Sequence, residues 1–327
     1  MLTKRVILGV VAAVAFGAFA AEQASAQSYP NRLIKLVLPF PAGGPTDGAA
    51  RLIAEKLSAS LGQTIVIENR PGGAGGTVGA KTVSTADPDG YTLLFTPPGA
   101  LVTAPAIYKN IGYDPVKDFA PVATIFSSPQ VLVVNPALPV KSMQELVAYA
   151  KANPGKVSYA SPGFATQPHL LGEMLKLQSG ADILHVPFRG SAPALTDLLA
   201  GQVQVFFDTV TFLLPHVESG KLRALAVADE VRSAQLPDVP TTVESGFPKL
   251  QGMYWTGVVA PAGTPADVIG KLNGAINAIT TSREMEETLS RLSAKAKVGS
   301  PADFAAFLAA ETKKWTEVIG AANIKAE

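Results

Sequence analysis

Short runs that are apolar at nearly every position alternate along the chain with longer stretches whose apolar residues recur every three to four positions. Leu33–Pro39, Thr64–Glu68, Tyr91–Phe95, Val157–Ala160, Ile183–Val186, Gln204–Phe207, Arg223–Ala228 and Tyr254–Ala260 are runs of the first kind. Apolar on both faces, they predict parallel strands covered by helices on each side. Ala49–Leu61, Thr77–Thr85, a stretch ending near Gln178, Pro193–Ala200 and Thr211–Ser219 carry the helical period. Ser142-Met143-Gln144-Glu145 reads as a capping box opening a helix that runs to Ala152, and Asn153-Pro154-Gly155 stops it. Asp87-Pro88-Asp89-Gly90 has the composition of a turn. Residues 100–118 and 229–252 are irregular. Two β-rich runs, Val122–Phe126 and Gln130–Asn135, stand apart. The last third is helical, with starts at Thr264-Pro265, Arg283 and Ser300-Pro301.

This alternation predicts an α/β fold with mainly parallel sheets. Residues 125–229 repeat a βαβαβ pattern and read as a second domain, inserted into a first built from 27–124 and 230–327. Two crossings between domains make a hinge. Ligands of such sheets sit beyond the carboxyl ends of the strands, so the strand-to-helix loops are expected to face one cleft.

The start of the chain breaks the pattern. Lys4-Arg5, the apolar run Val6–Ala21 and Ala24-Ser25-Ala26 read as a signal peptide (residues 1–26) cleaved after Ala26. The apolar run is shorter than the ~20 residues a membrane span needs. The 327-residue length fits two domains, and 47% hydrophobic against 16% charged residues supports a large core. The net charge is +1, and removing Lys4, Arg5 and Glu22 with the leader brings the two signs level. Such a balance, without a dense Lys/Arg run, speaks against nucleic acid as a partner. There is no cysteine, hence no disulfide, thiolate ligand or cysteine nucleophile.

Candidate chemistry lies in the loops. Pro39–Asp47 joins a buried strand to a helix through Gly43 and Gly44, which let a ligand approach the backbone, with Thr46 or Asp47 as the helix cap. Ser161–Thr166 and Gly190–Pro193 repeat that composition ahead of helices, with Ser191 as a candidate cap. Free amides, small hydroxyls and helix N-termini suit a carboxylate. Gly72–Gly79 fails both nucleotide fingerprints: no Gly-Lys-Ser/Thr follows, and Val78 stands where the third glycine belongs. Asp208 ends a buried strand, where it either caps the next helix or accepts from a ligand's ammonium or hydroxyl. His169 sits beside the second loop and either touches ligand or orders the loop, whereas His185 reads as a core residue. No H-E-x-x-H or G-x-S-x-G occurs, so neither a metal nor a cofactor is expected and no enzyme is read. The competing reading is a secreted α/β hydrolase, which requires Ser161 or Ser191 against His169. Phe40, Phe164, Phe188, Tyr254 and Trp255 are either cleft walls or core.

Four stretches together carry a family signature: Pro39–Asp47, Glu68–Gly76, Tyr159–Gly163 and His185–Asp197. They closely resemble the Bug family, periplasmic solute receptors of tripartite tricarboxylate transporters, and the likeness extends over nearly all of the chain after the leader. The resemblance implies a two-domain clamshell that binds a small organic acid. One carboxylate is gripped by Ala42–Asp47 and the facing Ser161–Thr166, largely through backbone amides and ordered waters. The rest of the ligand meets Gly190–Ala192 and Asp208. The ligand set is therefore Phe40, Ala42, Gly43, Gly44, Thr46, Asp47, Ser161, Gly163, Phe164, Ala165, Thr166, His169, Gly190, Ser191, Ala192 and Asp208. Phe164 departs from the small or polar residue common in the family, which keeps aromatic carboxylates beside dicarboxylates, tricarboxylates and acidic amino acids. The implied role is a periplasmic monomer that delivers its ligand to membrane permease subunits. A receptor that hands the same ligand to a signalling partner is the alternative.

Overall fold

The computed structural model describes residues 29–325; the expected leader, residues 1–26, lies outside them. The strands are β1 (Ile34–Leu38), β2 (Ile65–Asn69), β3 (Thr92–Thr96), β4 (Phe119–Val134), β5 (Ser158–Ser161), β6 (Leu184–Pro187), β7 (Val205–Thr209), β8 (Arg223–Val227), β9 (Met253–Pro261) and β10 (Lys295–Ala296). The helices are α1 (Pro45–Leu61), α2 (Thr77–Ser84), α3 (Ala104–Ile107), α4 (Met143–Ala152), α5 (Gln167–Ser179), α6 (Ser191–Leu199), α7 (Val210–Glu218), α8 (Ala266–Thr280), α9 (Arg283–Arg291) and α10 (Pro301–Ala321).

The strands follow the order β2-β1-β3-β9-β4-β7-β5-β6. β1 runs parallel to β2 and β3, and β5 runs parallel to β6 and β7, as the two βαβ units require. β4 and β9 run antiparallel to their neighbours and join the two units into a mixed sheet. The two β-rich runs separated by Ser127-Ser128-Pro129 are one 16-residue strand. Phe119–Pro129 pairs with β9, and Gln130–Val134 pairs with β7 and β8. Pro129 thus sits where β4 changes partners, a place where a missing N–H costs the ladder little.

Both faces of β1 are covered. Ile34, Leu36 and Leu38 pack with Ile53 and Leu57 of α1 and Leu272 and Ile276 of α8. Val37 joins the cluster that holds Phe304 and Trp315 of α10. Full burial of such side chains contributes about 1.5–3 kcal/mol each.

The helix starts nearest the loops differ from the sequence reading. α1 begins at Pro45 rather than Ala49, and its N-cap is Gly44, so Thr46 and Asp47 lie inside the first turn. The fixed φ of proline suits that first position. α6 begins at Ser191 with Gly190 as N-cap, so Ser191 is not the cap. Asp208 is not a cap either: Thr209 caps α7, its side chain accepting from the Phe212 N–H at 3.3 Å.

Candidate carboxylate site

Three helix N-termini meet at one cavity. Gly44, Pro45 and Thr46 of α1, Thr166, Gln167 and Pro168 of α5, and Gly190, Ser191 and Ala192 of α6 all line it. None of the three helices has a side-chain hydrogen bond at its N-cap. By contrast, Ser142, Thr209, Ser282 and Ser300 cap α4, α7, α9 and α10. The first-turn amides and the positive dipole ends therefore remain available to an anion. The cavity measures about 560 Å³ including solvent at its mouth, and no Lys, Arg or His lines it.

The loops are held by contacts behind the cavity. The Asp47 carboxylate accepts from the Gly43 N–H at 3.2 Å, from Arg51 Nε at 2.9 Å and Nη2 at 3.0 Å, and from Asn69 Nδ2 at 3.2 Å. Burial pushes its pKa up, but the Arg51, Gly43 and Asn69 hydrogen bonds outweigh this and hold it below the ordinary aspartate value. Asn69 also donates to the Phe40 carbonyl at 2.9 Å, so one carboxylate and one amide fix the whole turn.

Opposite, Ser161 Oγ lies 2.7 Å from His185 Nε2 and accepts from the Gly163 N–H at 3.2 Å. The Ala165 N–H donates to His169 Nδ1 at 3.3 Å, and Ala165 holds a φ of +58°. The two imidazoles pack at 4.4 Å between centroids, with Tyr159 stacked on His185 and Phe164 edge-on to both. Burial pushes His169 down to about 4, with Glu173 opposing, and burial with His169 beside it pushes His185 down to about 3. Neutral histidines are what this packing requires.

Asp208 lines the cavity and is 2% exposed. Its Oδ1 accepts from the Thr209 N–H at 2.7 Å, and its Oδ2 has no hydrogen-bond partner. Burial pushes its pKa up to about 6; the Ser191 hydroxyl draws it down without reaching bonding geometry on Oδ2, as do the Thr209 backbone and hydroxyl. Tyr254 Oη, also on the cavity, is 2.8 Å from Thr46 Oγ1.

The halves touch directly across this site. The Gly75 N–H donates to the Phe164 carbonyl at 2.8 Å, and Thr103 Oγ1 donates to the Ala165 carbonyl. A Cβ placed on Gly190 would lie 2.6 Å from Pro41 Cγ, and one on Gly44 would lie 3.7 Å from Ser191 Cβ.

Residues 49–324 match the model of the tripartite tricarboxylate transporter family receptor. The chain belongs to that receptor family. Its fold is that of the periplasmic binding protein BugD, with 37% identity, 91% of this chain and 100% of that one covered, and a TM-score of 0.87. It is equally similar to Rpa4515 of R. palustris, solved with adipate (37% identity, 91% and 99% covered, TM-score 0.88). MatC from Rhodopseudomonas palustris, solved with bound malate, shares 35% identity over 89% of this chain and 100% of its own, with a TM-score of 0.85. The two-domain clamshell expected from the sequence is the fold these receptors share.

Within this receptor fold, Phe40, Gly44, Thr46, Thr166, Gly190, Ser191, Ala192 and Asp208 line the inner cavity. Gly163 and Phe164 lie on the outer cleft with Gly72–Gly76, Phe188 and Arg189, and Gly43 lines a separate groove beside Phe126 and Leu289. Ala42, Asp47, Ser161, Ala165 and His169 line none of these; the last four hold the loops in place through the bonds above. Phe164 covers the histidine pair rather than the inner cavity. Trp255 is core, packed on Phe304 and Phe307. The sequence reading left Tyr254 open between wall and core and missed Gln167 and Pro97-Pro98-Gly99, all of which line the cavity. Gln167 spans the halves, accepting from Gln130 Nε2 and donating to the Met253 carbonyl, both at 3.0 Å. Among the described residues, no group of three or more His, Cys, Asp or Glu side chains is placed to hold a metal ion.

Proposed function

We propose that the protein is a periplasmic receptor that captures a small organic carboxylate in the inner cavity and delivers it to the permease subunits of a tripartite tricarboxylate-type transporter. The observation that carries this reading is the convergence of three uncapped helix N-termini on a cavity without a basic side chain. Each dipole end favours an anion by about 0.3–1 kcal/mol at a surface, and by up to ~2 kcal/mol when partly buried. Related receptors bind adipate and malate, which fit the same chemistry. The hinged units are 27–124 with 230–327, and 125–229; the ligand favours the state in which they close, because only there do all three N-termini face it. The leader is cleaved near Ala26, and the mature chain acts as a monomer.

We read the protein as a binder rather than an enzyme. The hydrolase reading needed a serine against His169, but His169 accepts from a backbone amide. Ser161 instead meets His185, and that ring packs against His169 and Tyr159 with Ser161 fully buried.

A thermal-shift screen of ligand-free mature protein tests the reading. The panel holds aliphatic dicarboxylates, tricarboxylates, acidic amino acids and aromatic carboxylates. A ligand at ~100 times its Kd adds about 2.7 kcal/mol, roughly 4 °C for a chain of this length. A shift with one carboxylate class supports the proposal. No shift with any, from protein shown to be ligand-free by native mass spectrometry, removes it.

A further inference from the structure

Asp208 sets a charge problem that the rest of the cavity does not solve. Its Oδ2 is buried at the cavity wall without a hydrogen-bond partner. No lysine, arginine or histidine shares that wall. The Ser191 and Thr209 hydroxyls only draw its pKa down, and no charged group on the surrounding elements neutralises it. Tyr254 on β9 offers a phenol already engaged with Thr46. On α1, Asp47 and Arg51 are paired with each other. On α5, His169 faces Phe164 and His185, while Glu173 is bonded to Tyr159 and Lys176. Asp197 on α6 and His216 and Glu218 on α7 lie beyond the first turns of their helices. On β4, Val131 pairs with Asp208, and the neighbouring Gln130 carries no charge and donates to Gln167.

A ligand with one carboxylate on the α1 and α5 N-termini and a second carboxylate beside Ser191 brings its second negative charge to Asp208. Two carboxylates in contact inside a low-dielectric cavity cannot both ionise, and one shared proton converts the repulsion into a short, strong hydrogen bond. We propose that this receptor binds an unsubstituted dicarboxylate only together with one proton from solvent, held between Asp208 Oδ2 and the ligand's far carboxylate. The inference rests on the carboxylate reading of the cavity and adds to it a proton that travels with the ligand. Burial raises the Asp208 pKa toward the range in which it can take up that proton, while leaving the free carboxylate ionised at pH 7.5. A ligand carrying an ammonium or hydroxyl at that position supplies its own donor and needs no added proton.

Titration calorimetry with succinate, glutarate and adipate at pH 7.5, in buffers of different ionisation enthalpy, counts the protons. The account expects uptake approaching one proton per dicarboxylate and a Kd that weakens toward tenfold per pH unit between pH 7 and 8.5. In Asp208→Asn the amide donates to the far carboxylate, so uptake falls to zero and the Kd becomes flat with pH. The wild-type proton count stands alone should that variant not fold. Tight binding of a dicarboxylate with no proton uptake overturns the inference, as does binding of amino or hydroxy monocarboxylates with no dicarboxylate binding; both leave the receptor reading intact. Failure of every carboxylate to bind overturns both.

Discussion

Gly190→Ala separates closure of the two units from stability of the fold. Gly190 holds a φ of +113°, and an added Cβ would lie 2.6 Å from Pro41 Cγ and 3.1 Å from Pro41 Cδ, on the facing unit. The backbone strain is present whether the units are open or closed, so it lowers the melting temperature without touching affinity; about 1–3 kcal/mol is expected. The overlap with Pro41 exists only when the units meet, so it is charged to the liganded state. Ordinary Cβ contacts begin near 3.4 Å, so proline and loop must part by most of an ångström. Overpacking of this kind costs about 1–3 kcal/mol, which weakens binding by roughly 5- to 150-fold. Gly155→Ala is the control: φ there is +72°, and nothing lies within 4 Å of the added Cβ. Calorimetric titration with the best ligand of the screen, alongside thermal melts, reads both terms. Gly155→Ala should lower the melting temperature and leave Kd unchanged, and Gly190→Ala should lower both stability and affinity. A Gly190→Ala Kd within twofold of wild type would refute closure onto Pro41.

Other substitutions probe the remaining supports. Thr103→Val removes the hydroxyl that bonds the Ala165 carbonyl across the units; a net loss of about 1 kcal/mol predicts a Kd weakened roughly fivefold by calorimetry, and an unchanged Kd would remove that contact from closure. The two depressed histidines make the protein acid-labile: the unfolded chain takes up their protons first, so stability is lost as pH falls below ~6.5. Urea midpoints measured from pH 7 to 4.5 should fall less steeply in His185→Gln, and parallel curves would show that His185 is not buried neutral. Asp208 works in the opposite sense in the ligand-free protein. Its folded pKa is raised to about 6, so its contribution is present below the unfolded value and lost as pH rises through 6. Asp208→Asn should therefore be the more stable protein at pH 7.5, by as much as about 3 kcal/mol, with urea denaturation as the check; a less stable variant would contradict the buried, unpartnered carboxylate.

The loops of the site were legible because glycine and proline mark them. Gly43-Gly44-Pro45 and Gly190-Ser191 announce a turn into a helix, and Asp208 stood out as a carboxylate ending an apolar run. The registers at the helix starts were less legible. Counting α5 from the proline of its first turn, Pro168, would have brought Gln167 into the site, since proline marks a first turn and not an interior. Pro97-Pro98-Gly99 reads as the close of a strand, yet it lies at the carboxyl end of β3, where ligands of such sheets are expected. Tyr254 lies in a strand buried on both faces, and only its hydroxyl distinguishes it from the apolar residues around it. The long β4 was hidden by Ser127-Ser128-Pro129, a triplet with turn composition. A pairing that passes from β9 to β7 and β8 at that point follows from tertiary contacts and leaves no periodic signal.

A crystal structure grown with the carboxylate that gives the largest thermal shift tests the central claim most directly. The account predicts one carboxylate within hydrogen-bond distance of first-turn amides of α1, α5 or α6, with the other end of the ligand against Asp208. Ligand density in the groove between Phe126 and Leu289, or a carboxylate held by the exposed Arg189 of the outer cleft, would contradict it.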